Sequence, residues 1–345
     1  MDGKKQRGKH EGSSDPQSNI MKKMKIDYEI AQFSAALERI DQESRFGLKS
    51  HDELADMIEK AMVTMWGAAD AYEREVGGDI NLIRDAQRSL RFATDRFFSQ
   101  CAYHRARTWP RGYHGDYEML EFHYRNEPGS EGVGHYLENY LLTSALAVAV
   151  RERKDLLKDI LKREMAARKN PSVMDIACGP CREIVEMSEE IKRAGASFIC
   201  VDHDPEALEY SKDRMAKIGL PMGKVQFHQY NALKMVNHER NLQEFGAQDI
   251  IYSVGLFDYL SDDVLVKLLK ALYDLLKPGG ILIASFKDSN KYSTFIYHWI
   301  VEWNAFLQRK EQDVLALYER AGFPPGAVVT TRTASKVIVF YNVSK

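Results

Sequence analysis

Hydrophobic and polar positions follow two rhythms along this chain, and the change between them comes once, near residue 170. Before it, apolar side chains recur at helical spacing. Ile30, Phe33, Leu37 and Ile40 make one face that ends near Gly47, and Met57, Met62, Met65 and Trp66 make another before Gly77-Gly78. Ser50, followed by His51-Asp-Glu-Leu, reads as an N-cap with acids in the first turn, and Asp79 reads as the cap of a third helix through Leu82, Ile83, Leu90, Phe92, Phe97 and Phe98. The methionines suit core filling better than a ligand surface. Helical spacing resumes after Pro128-Gly129 through Tyr136, Leu137, Tyr140 and Leu141, and again through Leu146, Leu156, Leu157, Ile160 and Leu161.

After residue 170 short β-rich runs take over, at 173–177, 198–201, 225–228, 249–254 and 281–286, with amphipathic helical stretches between them. Strands alternating with helices predict a parallel sheet covered on both faces. Two last β-rich runs, 327–331 and 336–343, lie four residues apart and predict an antiparallel hairpin at one edge. The expected class is α/β: a doubly wound, Rossmann-like, mostly parallel seven-stranded sheet with a C-terminal antiparallel hairpin, preceded by an all-α N-terminal domain. The expected boundaries are a disordered tail over 1–22, a helical domain over 23–145 and the sheet domain over 146–345. The lysines of the tail read as solvated charge.

Composition narrows the partner. At 345 residues and net charge −2 there is no electrostatic footprint for nucleic acid, and no apolar run approaches the ~20 residues of a membrane span. Four cysteines, without a second C-x-x-C or an H-x3-H, make neither a disulfide scaffold nor a zinc site. The expectation is a soluble cytoplasmic protein with a small-molecule partner, no nucleic acid, no membrane insertion and no metal.

Two stretches carry the chemistry. Val173-Met-Asp-Ile-Ala-Cys-Gly-Pro-Cys-Arg-Glu183 reads as strand, tight turn and helix, the place where a parallel sheet binds a nucleoside cofactor. Asp202 closes the next strand about twenty residues later, where a carboxylate can hold ribose hydroxyls; Asp204 before Pro205 is the better cap for the following helix. Cys178-Gly-Pro-Cys181 also allows a thioredoxin-like dithiol oxidoreductase, although such a domain is complete in ~100 residues and has no place for the further strands. The second stretch, Trp109-Pro-Arg-Gly-Tyr-His-Gly-Asp-Tyr-Glu118, is a lid-like loop over 109–118. Tyr113 and Tyr117 could cover a flat ligand there and Arg111, His114 and Asp116 could hydrogen-bond it; the same loop also reads as an interdomain connector.

From residue 173 onward the chain resembles the class I S-adenosylmethionine-dependent methyltransferases. Asp175-Ile-Ala-Cys-Gly-Pro-Cys181 is similar to their D-x-G-x-G-x-G loop, with Ala177 and Cys181 replacing glycines, and Lys277-Pro-Gly-Gly280 to their turn before strand five. The resemblance implies a cofactor site of Asp175, Ala177, Cys178, Gly179, the ribose acid Asp202 with His203, the adenine-contact pair Asn231 and Ala232, and Ser253 in the fourth strand. S-adenosylhomocysteine would be the product. Pro110 to Met119, Ala177 to Glu183 and Gly255-Leu-Phe-Asp-Tyr-Leu260 also look like a bacterial subgroup labelled 3-hydroxypalmitate methyl ester biosynthesis methyltransferases. That label implies O-methylation of a fatty-acid or other carboxylate or hydroxyl; N-methylation of a small amine is the alternative within the class. Tyr113, Asp116, Asp258 and Tyr259 are the expected catalytic residues. Arg111, His114, Tyr117, Tyr292 and Trp299 are the expected substrate contacts, the last two from an aromatic stripe, with Tyr297, Trp303 and Phe306, that could wall an acyl or aromatic pocket, although such a stripe more often serves core packing or a homodimer contact.

Overall fold

A computed structural model describes residues 16–345. The first fifteen residues of the expected tail lie outside the described residues. The other seven are helical, because α1 (Pro16–Arg45) begins well before its apolar face does. Helices α2 (His51–Glu75) and α3 (Ile80–Phe98) follow as the periodicity predicts, and both caps form. Ser50 and Glu53 bond reciprocally as a capping box, and the Asp79 carboxylate accepts from the amides of Asn81 and Leu82. Short α4 (Tyr103–Thr108), α5 (Tyr117–Arg125) and α6 (Gly132–Leu142) complete the helical part. Trp66, expected in this core, is 47% exposed.

Helix α7 (Ala145–Ala166) leads into the sheet. Its elements run β1 (Ser172–Ile176), α8 (Arg182–Glu186), α9 (Ser188–Ala194), β2 (Ser197–Asp202), α10 (Pro205–Lys217), β3 (Val225–Gln229), α11 (His238–Phe245), β4 (Gln248–Val254), α12 (Asp262–Asp274), β5 (Leu276–Lys287), α13 (Glu311–Arg320), β6 (Val328–Arg332) and β7 (Ile338–Ser344). The strand order is β3-β2-β1-β4-β5-β7-β6. The first four pairings are parallel, whereas β7 runs antiparallel to both β5 and β6. The predicted turn at Lys277-Pro-Gly-Gly280 is instead a bulge inside β5, where the register against β4 jumps from Gln248↔Leu276 to Ile250↔Ile281. Strands β1 and β4 are buried nearly throughout, as central strands of a two-sided sheet must be.

One apolar core lies on each face of the sheet, and a third fills the helical bundle. The third core crosses the expected domain boundary. Phe295, Trp299, Ile300 and Val301, which follow β5, are buried among the N-terminal helices. Trp299 is 1% exposed and its indole N–H donates to Glu73, 2.6 Å away. The substrate contact expected of Trp299 is therefore replaced by a role in bundle packing. The stripe looked like a pocket wall because a π-helical turn at Ile296–Ile300 aims alternate aromatics into two different cores.

Candidate functional site

Strand β1 ends at Ile176, and the chain then enters a loop in which Ala177, Gly179 and Cys181 all hold positive φ (56°, 52° and 45°). Non-glycine residues in this region are strained, and such strain collects where backbone must approach a ligand. The loop is pinned to its surroundings. Cys178 N–H donates to Val201 O, Ser211 Oγ donates to Gly179 O, and Ser253 Oγ donates to Ile176 O, so the Ser253 hydroxyl fixes β4 to the end of β1.

Asp202 ends β2 beside this loop. One oxygen accepts from Gly179 N–H at 2.8 Å and the other from Asp204 N–H at 3.0 Å, with His203 Nδ1 3.2 Å from the second oxygen. That hydrogen bond holds the His203 pKa above its usual range. The acid and the small-residue loop therefore share one crevice, at the carboxyl ends of the strands where β1 passes between β2 and β4. Asn231 and Ala232 follow β3 on the same side; Asn231 accepts from Leu233 N–H, and Tyr230 N–H donates to Asp202 O.

The loop over 109–116 lies across that crevice. Tyr113 donates to Asp204 Oδ2 at 2.8 Å while its ring meets His203 edge-on at 4.5 Å. Burial and this bond push the phenol pKa well up, so it stays protonated. His114 packs between Trp109 (4.0 Å) and Trp303 (5.1 Å, stacked), and burial lowers its pKa to about 4. Gly115 is required for that closure: it sits at φ 70°, and a Cβ there would come within 2.8 Å of the Trp303 ring.

Several expected site residues are engaged elsewhere. Asp116 caps α5 through Met119 N–H and is ion-paired with Arg105 at 2.7 Å. Asp258 is 2% exposed and bound to Lys287 at 2.5 Å. Arg111 is clamped by Glu118, Glu206 and Asp204, with its guanidinium over the Tyr117 ring, which packs in turn on Tyr210. These three residues hold structure together, and none is free to act on a substrate. Tyr259 accepts from Trp303 Nε1 at 3.1 Å and burial raises its pKa; Tyr292 donates to Gln308.

Cys178 and Cys181 are 7% and 0% exposed, so neither sulfur is accessible to a partner. Their sulfurs lie with an Asp175 oxygen inside 4.8 Å of one another, in the core. A thioredoxin-like dithiol needs an accessible thiolate and a different sheet, and it has neither here.

Sequence reasoning missed two residues, Glu121 and Arg153. Glu121, 6% exposed, joins α5 to Arg182 of α8 (3.0 Å) and Arg214 of α10 (2.6 Å); an acid inside the apolar run Met119-Leu120-Glu121-Phe122 was the available signal. Trp303, Tyr297 and Phe306, which belong to the aromatic stripe read from the sequence, pack against one another and against Tyr259. Arg153, 4% exposed, sits within the charged run 151–155 and gave no signal.

Residues 173–280 match the family model of a methyltransferase domain. No curated protein matches the chain. Among solved structures, a protein of Bordetella parapertussis described as a possible exported protein shares 18% identity across 96% of this chain and 99% of its own, with a TM-score of 0.58. The likeness of fold thus takes in the helical bundle as well as the sheet. An O-methyltransferase family protein from Burkholderia thailandensis shares 16% identity over 58% of this chain and 60% of its own (TM-score 0.44). Magnesium protoporphyrin IX methyltransferase from Synechocystis PCC 6803, with bound S-adenosylhomocysteine, shares 15% over 60% and 88% respectively (TM-score 0.45).

Proposed function

We propose that the chain is a class I, S-adenosylmethionine-dependent methyltransferase, its residues 173–280 matching a methyltransferase-domain model, and that it methylates a carboxylate oxygen of an apolar small-molecule acid. The observation that carries this reading is the state of the candidate bases. Transfer is an in-line displacement at the sulfonium methyl, so the protein must align an acceptor lone pair and exclude water. A hydroxyl or ammonium acceptor must also lose a proton to a base. Asp116 and Asp258 are each held in an ion pair, the Tyr113 and Tyr259 phenols are kept protonated by burial, and His114 is a weak base with a pKa near 4. An ionised carboxylate needs none of them.

The residues fit the cofactor. Asp202 would accept from the ribose hydroxyls, next to the positive-φ loop at Ala177 to Gly179 whose amide it already holds. When bound, the cofactor supplies the electrophilic methyl group. Tyr113 and His203 would cover the nucleoside, and the packed aromatic cluster of Trp303, Tyr297, Phe306 and Tyr259 would offer an acyl chain an apolar surface. The subgroup resemblance, whose label names a fatty-acid methyl ester, points the same way. Incubation with S-adenosylmethionine and long-chain hydroxy fatty acids, followed by mass spectrometry, should yield an alkali-labile methyl ester. Methylation only of amines or phenols in a mixed acceptor panel would sink the carboxylate reading.

A further inference from the structure

Arg153 is a buried cation without an anion. Among the described residues the arginines buried to a similar depth are saturated: Arg107 donates to Ile300 O, Asp95 and Thr94, and Arg309 to Asp262, Phe257 O and Leu260 O. Arg153 is 4% exposed, and none of the described carboxylates pairs with it. Its Nε has no partner, and Nη2 makes a single long donation of 3.4 Å to the Tyr124 phenol. Burying a guanidinium this way is costly unless an anion completes it.

Its position says where that anion comes from. Arg153 lies on α7, and Nη1 rests over Gly255, the first residue past β4. A Cβ at Gly255 would stand 2.9 Å from Nη1, and Gly255 holds φ 111°, so the backbone there is shaped around the guanidinium. Tyr259, one turn on, feels the Arg153 charge. The group thus sits at the carboxyl end of β4, beside the crevice where the parallel sheet changes direction.

We propose that Arg153 is the anchor for a ligand carboxylate, supplied by the methionine end of the cofactor or by the acceptor. The inference rests on the methyltransferase reading and adds the residue that orients the ligand. A guanidinium fork matches a carboxylate in two parallel bonds, and the low-dielectric setting strengthens them.

The test compares the wild-type chain with Arg153→Met and Arg153→Lys by calorimetric titration. The probes are S-adenosylhomocysteine, 5′-methylthioadenosine, which lacks the amino-acid carboxylate, and hexadecanoate added to the S-adenosylhomocysteine complex. If the cofactor supplies the carboxylate, Arg153→Met weakens S-adenosylhomocysteine by about 10- to 100-fold and leaves methylthioadenosine unchanged. If the acceptor supplies it, both nucleosides bind as before and hexadecanoate binding falls by the same factor. In either case Arg153→Lys recovers part of the loss, and the ligand-free melting temperature of Arg153→Met equals or exceeds that of wild type, since an unpaired buried charge has been removed. Unchanged binding of all three probes would overturn the proposal. So would a lowered melting temperature with parallel losses for both nucleosides, the mark of a structural arginine. Wild-type protein that binds neither nucleoside would instead remove the methyltransferase reading itself.

Discussion

His123 shows how one residue sets the chain's response to acid. Its Nδ1 lies 2.7 Å from Met119 O, which can only accept, so Nδ1 carries the proton and Nε2 accepts from the Tyr103 hydroxyl at 3.3 Å. Burial holds its pKa down to about 4, from 6.5. The folded pKa is the lower one, so the unfolded chain takes up the proton first as pH falls. The stabilisation is complete above pH 6.5 and is lost on the way down to pH 4. Between pH 7 and pH 5 this amounts to about 2 kcal/mol. Urea unfolding at both pH values should show that loss in the wild type and a correspondingly smaller one in His123→Gln; equal losses would mean that His123 is not a buried neutral base. At this scale the sequence located residue types capable of chemistry but not what they touch. Asp202 stands where strand counting put it. Asp258 and Asp116 were named as catalytic because they follow a strand end and sit in a loop, whereas Lys287 and Arg105, their partners, come from chain positions that local spacing does not connect.

At the scale of elements, α5 is the part that joins the helical bundle to the crevice beside Asp202. Its start is fixed by the Asp116 cap, its Leu120 lies against Gly179, and Glu121 bonds to arginines on two helices of the sheet domain. Glu121→Gln removes the charge that both guanidiniums face. The expected cost is about 2 kcal/mol in equilibrium unfolding, less than the ~3–5 kcal/mol of a fully buried pair because both arginines are about one-fifth exposed. A cost near zero would mean that solvent already screens the network. Element boundaries followed periodicity closely wherever a cap or a β-branched run marked them, as at Ser50, Asp79 and β4. They departed from it where tertiary contacts decide. The helical stretch after the β1 turn breaks at Met187 into α8 and α9, and the turn before β5 becomes a bulge because Gly280 packs against the β4 backbone.

For the whole molecule, the order β3-β2-β1-β4-β5-β7-β6 brings the Ala177–Cys181 loop, Asp202 and the end of β4 to one side, and the bundle supplies the cover. Alternating elements and a closing hairpin made the sheet readable from sequence. The mutual dependence of the two parts was not readable, because Phe295 and Trp299 belong to the sheet domain in sequence and to the bundle in space. The most direct test of the account is a calorimetric titration of S-adenosylhomocysteine into wild-type protein and Asp202→Ala, with circular dichroism of both as a check of fold. The account predicts micromolar binding by the wild type and a loss of at least about 10-fold in the variant, the worth of a carboxylate bonded to two ribose hydroxyls. Absence of binding by well-folded wild-type protein, or equal affinity in the two proteins, would contradict it.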